Sequence, residues 1–350
     1  MKKRTSNIKQ HYVPQFYLRN FTDSNGKIKV FDLIRENSYL VSPSKACYGK
    51  YFHDIDTDVI KLFSSSLVEY EELVDDNIRK LNEKISAVLL NFLNEIKDCK
   101  TTFYFSKENR DKLYNFIVLQ TIRSPFYRNR LRYFNLPFCL KTGVSGELGD
   151  EKIQDTIHNL LILGVLGKLH KVDFQLNELY YSIFEHLIDE ILDLKRQLGN
   201  SGKLFLVNKT KGEFICSTTP VNTLWKPNLL ASSKALITPL GDDKLFDIGE
   251  YMEFQTIFLP ISSDVGIFLF DKECNAGLNQ MNQGIGIIED WNSDLLVNLN
   301  LSSMLKNRDK IFSASGDFSE ILELMNNKIN PRMEFRFGKT ITTANRVDGQ

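Results

Sequence analysis

His11 stands in the run His11-Tyr12-Val13-Pro14-Gln15-Phe16-Tyr17-Leu18-Arg19-Asn20-Phe21, where one ionisable ring is enclosed by aromatic, aliphatic and prolyl residues. An imidazole titrates near pH ~6.5, so it can both take and give a proton at neutrality, a role worth roughly 10²- to 10⁴-fold in rate. Pro14 fixes its own φ and biases Val13 towards extended geometry, so the backbone carrying His11 is shaped before any tertiary contact forms. The plain alternative is an imidazole bonded to a carbonyl inside the fold.

Gln120 and Arg123 are three residues apart, which places them on adjoining turns of one helix, with Gln120 on the face of Leu113, Phe116 and Ile117. Long polar side chains on an apolar stripe require partners. A guanidinium presents five fixed donors that match phosphate or carboxylate, which makes Arg123 the candidate anion clamp and Gln120 a candidate substrate-orienting group. The alternative is a structural network around the break at Ser124-Pro125. Further on, Arg128 and Arg132 share a helix face and interleave with Phe126, Tyr127, Tyr133 and Phe134. Cations for phosphates beside aromatic planes for bases suit single-stranded nucleic acid, and a solvated helix end is the alternative.

Other patterns carry less. His53-Asp54-Ile55-Asp56-Thr57-Asp58 gathers an imidazole and three carboxylates. A calcium loop needs Gly at its sixth position and Glu at its twelfth, where Val59 and Ser65 stand, so an acidic turn before a helix is expected and no metal site is assigned. Ser217 closes a strand-like segment, where catalytic side chains often emerge, but Gly-x-Ser-x-Gly is absent and Ser217 could equally turn the chain before Pro220. Cys216 beside it fits a small buried hydrophobe. Neither a P-loop nor a complete Gly-x-Gly-x-x-Gly is present, and the residues name no cofactor.

The His11–Phe21 run resembles the opening signature of the domain of unknown function 4238 family, a mostly bacterial family. Three later stretches are similar to it too: Phe116 to Pro125, Glu213 to Val221, and Ile257 to Ile261. The family pattern in the second of these is Ser-Asp-x-Pro, whereas this chain has Ser217-Thr218-Thr219-Pro220, so Thr218 stands where a carboxylate is expected. The resemblance implies an outline and a set of positions, and brings no activity with it.

A chain of 350 residues, 42% hydrophobic and 25% charged, has the composition of an ordinary globular protein. Its 44 basic and 44 acidic residues cancel, so attraction to nucleic acid or anionic membrane must come from a local patch. Five widely spaced cysteines with no Cys-x-x-Cys pair argue against a disulfide framework or a zinc knuckle and fit a reducing cytoplasm. The apolar run from Leu160 to Leu166 is far short of the roughly 20 residues a bilayer crossing needs. No membrane partner is expected.

These side chains must be positioned by a small set of elements. Asn25-Gly26 feeds the alternating run Lys27 to Leu33, a hairpin signal, and residues 10–45 read as an antiparallel meander. Apolar residues at three- and four-residue intervals place four helices between 66 and 199, with Gly199 as the C-terminal cap of the last. Short strands fill 203–270, with Asn208 to Gly212 as a hairpin loop, and 290–337 returns to helices and one strand. Segregated runs of this kind read as α+β: an N-terminal β-meander, a central helical bundle, an antiparallel sheet and C-terminal helices, taken as one domain over 1–350.

The expectation is a protein acting on a phosphate-bearing ligand, nucleic acid above all. His11 would be acid or base, Arg123 the anion clamp, and Gln120 and Ser217 would orient substrate. A nuclease-like effector of phage defence is its concrete form, and a non-catalytic binding or regulatory module is the alternative.

Overall fold

Turn chemistry and apolar spacing account for most elements of the computed structural model. It describes residues 9–56, 59, 73–97, 106–129, 150–167, 189, 191–192, 195–196, 198–199, 201–224, 236–239, 246–247, 256–270, 284–288, 293–306, 309–319, 321–323, 334–337 and 340–343. The fold is α+β, with helices and mainly antiparallel sheets. The chain divides into two compact units: the first comprises Met1–Pro14, Ala46–Val88 and Lys107–Gly199, the second Gln15–Lys45, Leu89–Ser106 and Asn200–Gln350. The boundary at Pro14 cuts the N-terminal signature in two.

In the first unit, β1 (Lys9–His11) pairs antiparallel with β4 (Tyr48–Lys50), with His11 opposite Tyr48. Cys47 and Tyr51, at φ 52 and 55, bracket β4 in the left-handed region that non-glycine residues seldom adopt. The long helix α2 (Leu73–Lys97) contributes its first sixteen residues here. Helix α3 (Lys107–Ile122) buries Tyr114, Val118, Leu119 and Ile122 as well as the expected stripe, so its second half is enclosed rather than amphipathic. It ends where sequence places the break. Ser124 Oγ accepts the Tyr127 amide at 3.2 Å, so Ser124 caps a new helical turn with Pro125 as its first residue. Helix α4 (Asp150–Val165) buries the Leu160–Leu163 run completely. Most of the fourth expected helix, the loop at 141–149 and the stretch 130–140 lie outside the described residues.

The second unit holds the larger sheets. Asp23 Oδ1 accepts the amides of Asn25 and Lys27, both at 2.9 Å, and Gly26 takes φ 67. The Asn-Gly turn therefore exists, but it leads from α1 (Gln15–Leu18) and a 3-10 turn (Arg19–Phe21) into β2 (Ile28–Asp32) instead of joining two strands. The hairpin comes one turn later, between β2 and β3 (Asn37–Val41). The meander also recruits distant partners, giving a four-stranded sheet in the order β3-β2-β13-β6, with β13 at Lys310–Ser313 and β6 at Cys216–Ser217. Beneath it, Ile215, Leu301, Met304, Ile311, Phe318 and Ile321 form a core cluster.

A seven-stranded sheet runs β7-β10-β11-β5-β12-β8-β9. In chain order its strands are β5 (Gly202–Asn208), β7 (Asn222–Leu224), β8 (Leu236–Pro239), β9 (Phe246–Asp247), β10 (Thr256–Pro260), β11 (Val265–Phe270) and β12 (Gly284–Ile288). Two differences from the sequence reading stand out. The Asn208–Gly212 loop, tied by Asn208 Nδ2 to the Gly212 carbonyl at 2.7 Å, does not close a hairpin, because β6 pairs with β13 while β5 pairs with β11 and β12. The Gly284-Ile285-Gly286 stretch is a strand, parallel to β5. Helix α5 (Ser293–Lys306) is as expected, and β14 (Glu334–Phe337) pairs with β15 (Thr340–Thr343).

Candidate functional site

The first half of the signature is held on both sides by buried polar side chains of its own unit. Gln10, 1% exposed, donates from Nε2 to Asp54 Oδ1 at 2.6 Å and accepts the His53 amide at its Oε1. The amide of Tyr12 donates to the Cys47 carbonyl at 3.0 Å. Gln120 reaches from α3 to donate from Nε2 to the Tyr12 carbonyl at 2.9 Å. His53 reaches the carbonyl before it: its Nε2 lies 3.4 Å from the His11 oxygen. A carbonyl only accepts, so His53 carries its proton on Nε2 and presents a lone pair at Nδ1. That Nδ1 is buried and has no hydrogen-bond partner among the described residues.

Arg123 is wholly buried. Its Nε and Nη2 both donate to Gln120 Oε1, at 3.0 and 2.6 Å, while Nη1 has no hydrogen-bond partner. Among the described residues no carboxylate forms an ion pair with it. Desolvation pulls the guanidinium down to about 9, with the charges of Asp75 and Cys47 acting the other way. Burial also holds His53 well below the usual imidazole range, and the positive charges of Arg123 and Arg128 add to this. His53 is therefore neutral at physiological pH.

Arg128 is also buried, with its guanidinium 3.9 Å from the Phe52 ring centroid. Its Nη2 donates to the Phe52 carbonyl, and its Nε lies 3.3 Å from Asp155 Oδ1 and 3.4 Å from His158 Nδ1. His158 donates from Nε2 to the Ile122 carbonyl at 2.7 Å, across the end of α3. Asn159 Nδ2 donates to the Asp54 carbonyl at 2.6 Å, so α4 fixes the turn that carries His53.

The sequence candidates are thus distributed unevenly. His11, Gln120, Arg123 and Arg128 all lie in the first unit, and Gln120 links Arg123 to the residue after His11. The His11 ring is half-buried and packs at 5.8 Å, centroid to centroid, on Tyr48. Arg128 is engaged inside the unit, whereas Arg132 lies outside the described residues. Ser217 belongs to the second unit, fully buried, where its Oγ donates to the Thr219 carbonyl at 3.0 Å and accepts the Thr219 amide at 3.3 Å. Those bonds are the chain-turning role weighed for it beside the catalytic one. Thr218 follows it, with its amide on the Lys310 carbonyl at 3.4 Å.

Sequence reasoning passed over His53 as anything but a metal ligand, and gave no role to Gln10, His158 or Asn159. A signal existed for the last two: a polar pair opening an unbroken apolar run on a helix must be buried and bonded. Among the described residues no group of three or more His, Cys, Asp or Glu could hold a metal ion, and no helix is long and apolar enough to cross a membrane.

Comparison with known proteins adds a family. A family model described as a protein of unknown function (DUF4238) matches residues 9–330. No curated protein and no solved structure matches the chain.

Proposed function

The chain belongs to the DUF4238 family, and from the site alone we propose that it acts on a phosphate-bearing ligand, nucleic acid foremost, with Arg123 as anion clamp and His11 as acid or base. One observation carries the reading. The Arg123 guanidinium is buried, spends two donors on a neutral amide, and keeps Nη1 without an acceptor among the described residues. A buried charge without a bonded counter-charge is costly, and an oxyanion supplies both the acceptor and the charge. Gln120 sets the guanidinium plane. It also fixes the Tyr12 carbonyl, so the backbone bearing the His11 imidazole is held relative to the clamp.

A nuclease-like effector of phage defence is the concrete version. Cleavage of end-labelled RNA and DNA, with and without divalent metal, tests it: the wild type cleaves and His11→Ala loses at least ~10²-fold in rate. Equal activity of the two proteins removes His11 from the chemistry.

A second reading is favoured by a different observation: Gln120, Arg123 and Gln10 are all essentially inaccessible and all knit the signature to its own unit. On this reading the protein is a non-catalytic binding or regulatory module. His11→Ala and Arg123→Ala then lower the melting temperature and leave ligand affinity unchanged.

A further inference from the structure

Two orphaned polar atoms of opposite character belong to side chains tied, directly or through Gln120, to neighbouring carbonyls of the signature. His53 bonds the His11 carbonyl, and Gln120, which holds Arg123, bonds the Tyr12 carbonyl. Among the described residues, Arg123 Nη1 is a donor without an acceptor, and His53 Nδ1 is an acceptor without a donor. The side chains are 0% and 1% exposed. We propose that Arg123 Nη1 and His53 Nδ1 together recognise a phosphate that carries a proton: an ionised oxygen accepts from Arg123, and a P–OH donates to His53.

The inference rests on the phosphate-ligand reading above and narrows it. An arginine alone binds any oxyanion. A neutral imidazole lone pair acting with it rejects those with no proton to give, because its buried acceptor would face an anionic oxygen unpaired. Hydrogen phosphate and a singly ionised terminal phosphomonoester carry that proton, whereas sulfate and an internal phosphodiester do not. The class of ligand is therefore a free or chain-end phosphate, not the interior of a nucleic-acid strand. The fields agree, since burial first, and after it the charge of Arg123, keeps the His53 ring in the neutral form that accepts.

Titration calorimetry of the full chain with inorganic phosphate, sulfate and dimethyl phosphate decides the matter. Phosphate is expected to bind at least tenfold more tightly than either of the others. In His53→Phe that preference falls to parity, and in Arg123→Met all binding is lost. A 5′-phosphorylated oligonucleotide competing with phosphate, where its dephosphorylated form does not, identifies a chain end as the source. Competition by free phosphate alone identifies the small ion. Equal affinity for phosphate and sulfate in the wild type overturns the role of His53 and leaves the clamp standing. No binding of any anion overturns both, as it would if a buried water satisfied the two atoms. Should His53→Phe fail to fold, the wild-type ratio of phosphate to sulfate still decides.

Discussion

The two halves of the signature face different environments. From His11 to Pro14, in the first unit, the backbone is met by Gln120 and His53 and lies among two buried arginines and two buried histidines, with an unanswered donor and an unanswered acceptor. From Gln15 to Phe21, in the second unit, the contacts are neutral and answered. Tyr17 Oη donates to the Pro260 carbonyl, Asn20 Nδ2 donates to the Ile261 carbonyl at 3.0 Å, and Tyr17 packs on Phe21 at 5.4 Å between centroids. Each half is bonded to another of the family-like stretches: the first to Phe116–Pro125 and the second to Ile257–Ile261. One continuous motif therefore combines an anchor with satisfied bonds and a charged cluster that is incomplete on its own.

The comparison breaks most sharply at Gln120. Gln120→Leu removes the acceptor of two Arg123 donors and strands a buried charge, with an expected loss of about 3–5 kcal/mol in urea unfolding. Arg123→Met in the same chain removes the charge itself, so the double variant recovers most of that loss. Additive effects would show that the two side chains do not act as a unit. In the second unit, Tyr17→Phe leaves the Pro260 carbonyl without its partner and costs about 1–3 kcal/mol. Phosphate affinity is unchanged in that variant. A loss of affinity there would erase the distinction between the halves.

A third test uses pH. His53 in the folded protein titrates well below its ordinary value, so between the two values the unfolded chain binds a proton that the native state does not. Stability therefore rises with pH through that window, and is lost as pH falls below about 6.5. Thermal melts of wild type and His53→Phe between pH 7 and pH 5 are expected to diverge, the variant showing the shallower decline. Parallel slopes would mean that His53 is protonated in the native state and cannot present the acceptor.

The local elements were legible in the sequence because their signals are local. The Ser124-Pro125 restart, helices α3, α4 and α5, and strands β5, β10 and β11 follow from spacing, caps and turn residues. Strand pairing was not legible: β13 joins β2 from nearly 280 positions away in register, Lys310 facing Asp32, and nothing near either strand announces the other. The same holds at the site. Sequence could nominate His11, Gln120 and Arg123 as polar groups among apolar neighbours. It could not show that His53 is the imidazole with the buried lone pair, because that depends on which carbonyl its other nitrogen reaches.

The smallest expected effect concerns Cys216, which lies in the second unit beside Tyr17. Burial pushes its thiol up to about 12, outweighing the hydrogen bond from Tyr17 that acts the other way. The thiolate is the reactive form, so the native protein near neutrality presents almost none at this position and no exposed sulfur. Iodoacetamide labelling followed by peptide mapping is expected to leave Cys216 unmodified until the chain unfolds, with labelling in urea tracking the unfolding transition. Modification of Cys216 below the transition would show that the neutral anchor around Tyr17 opens by itself, and the second half of the signature would then be the mobile one.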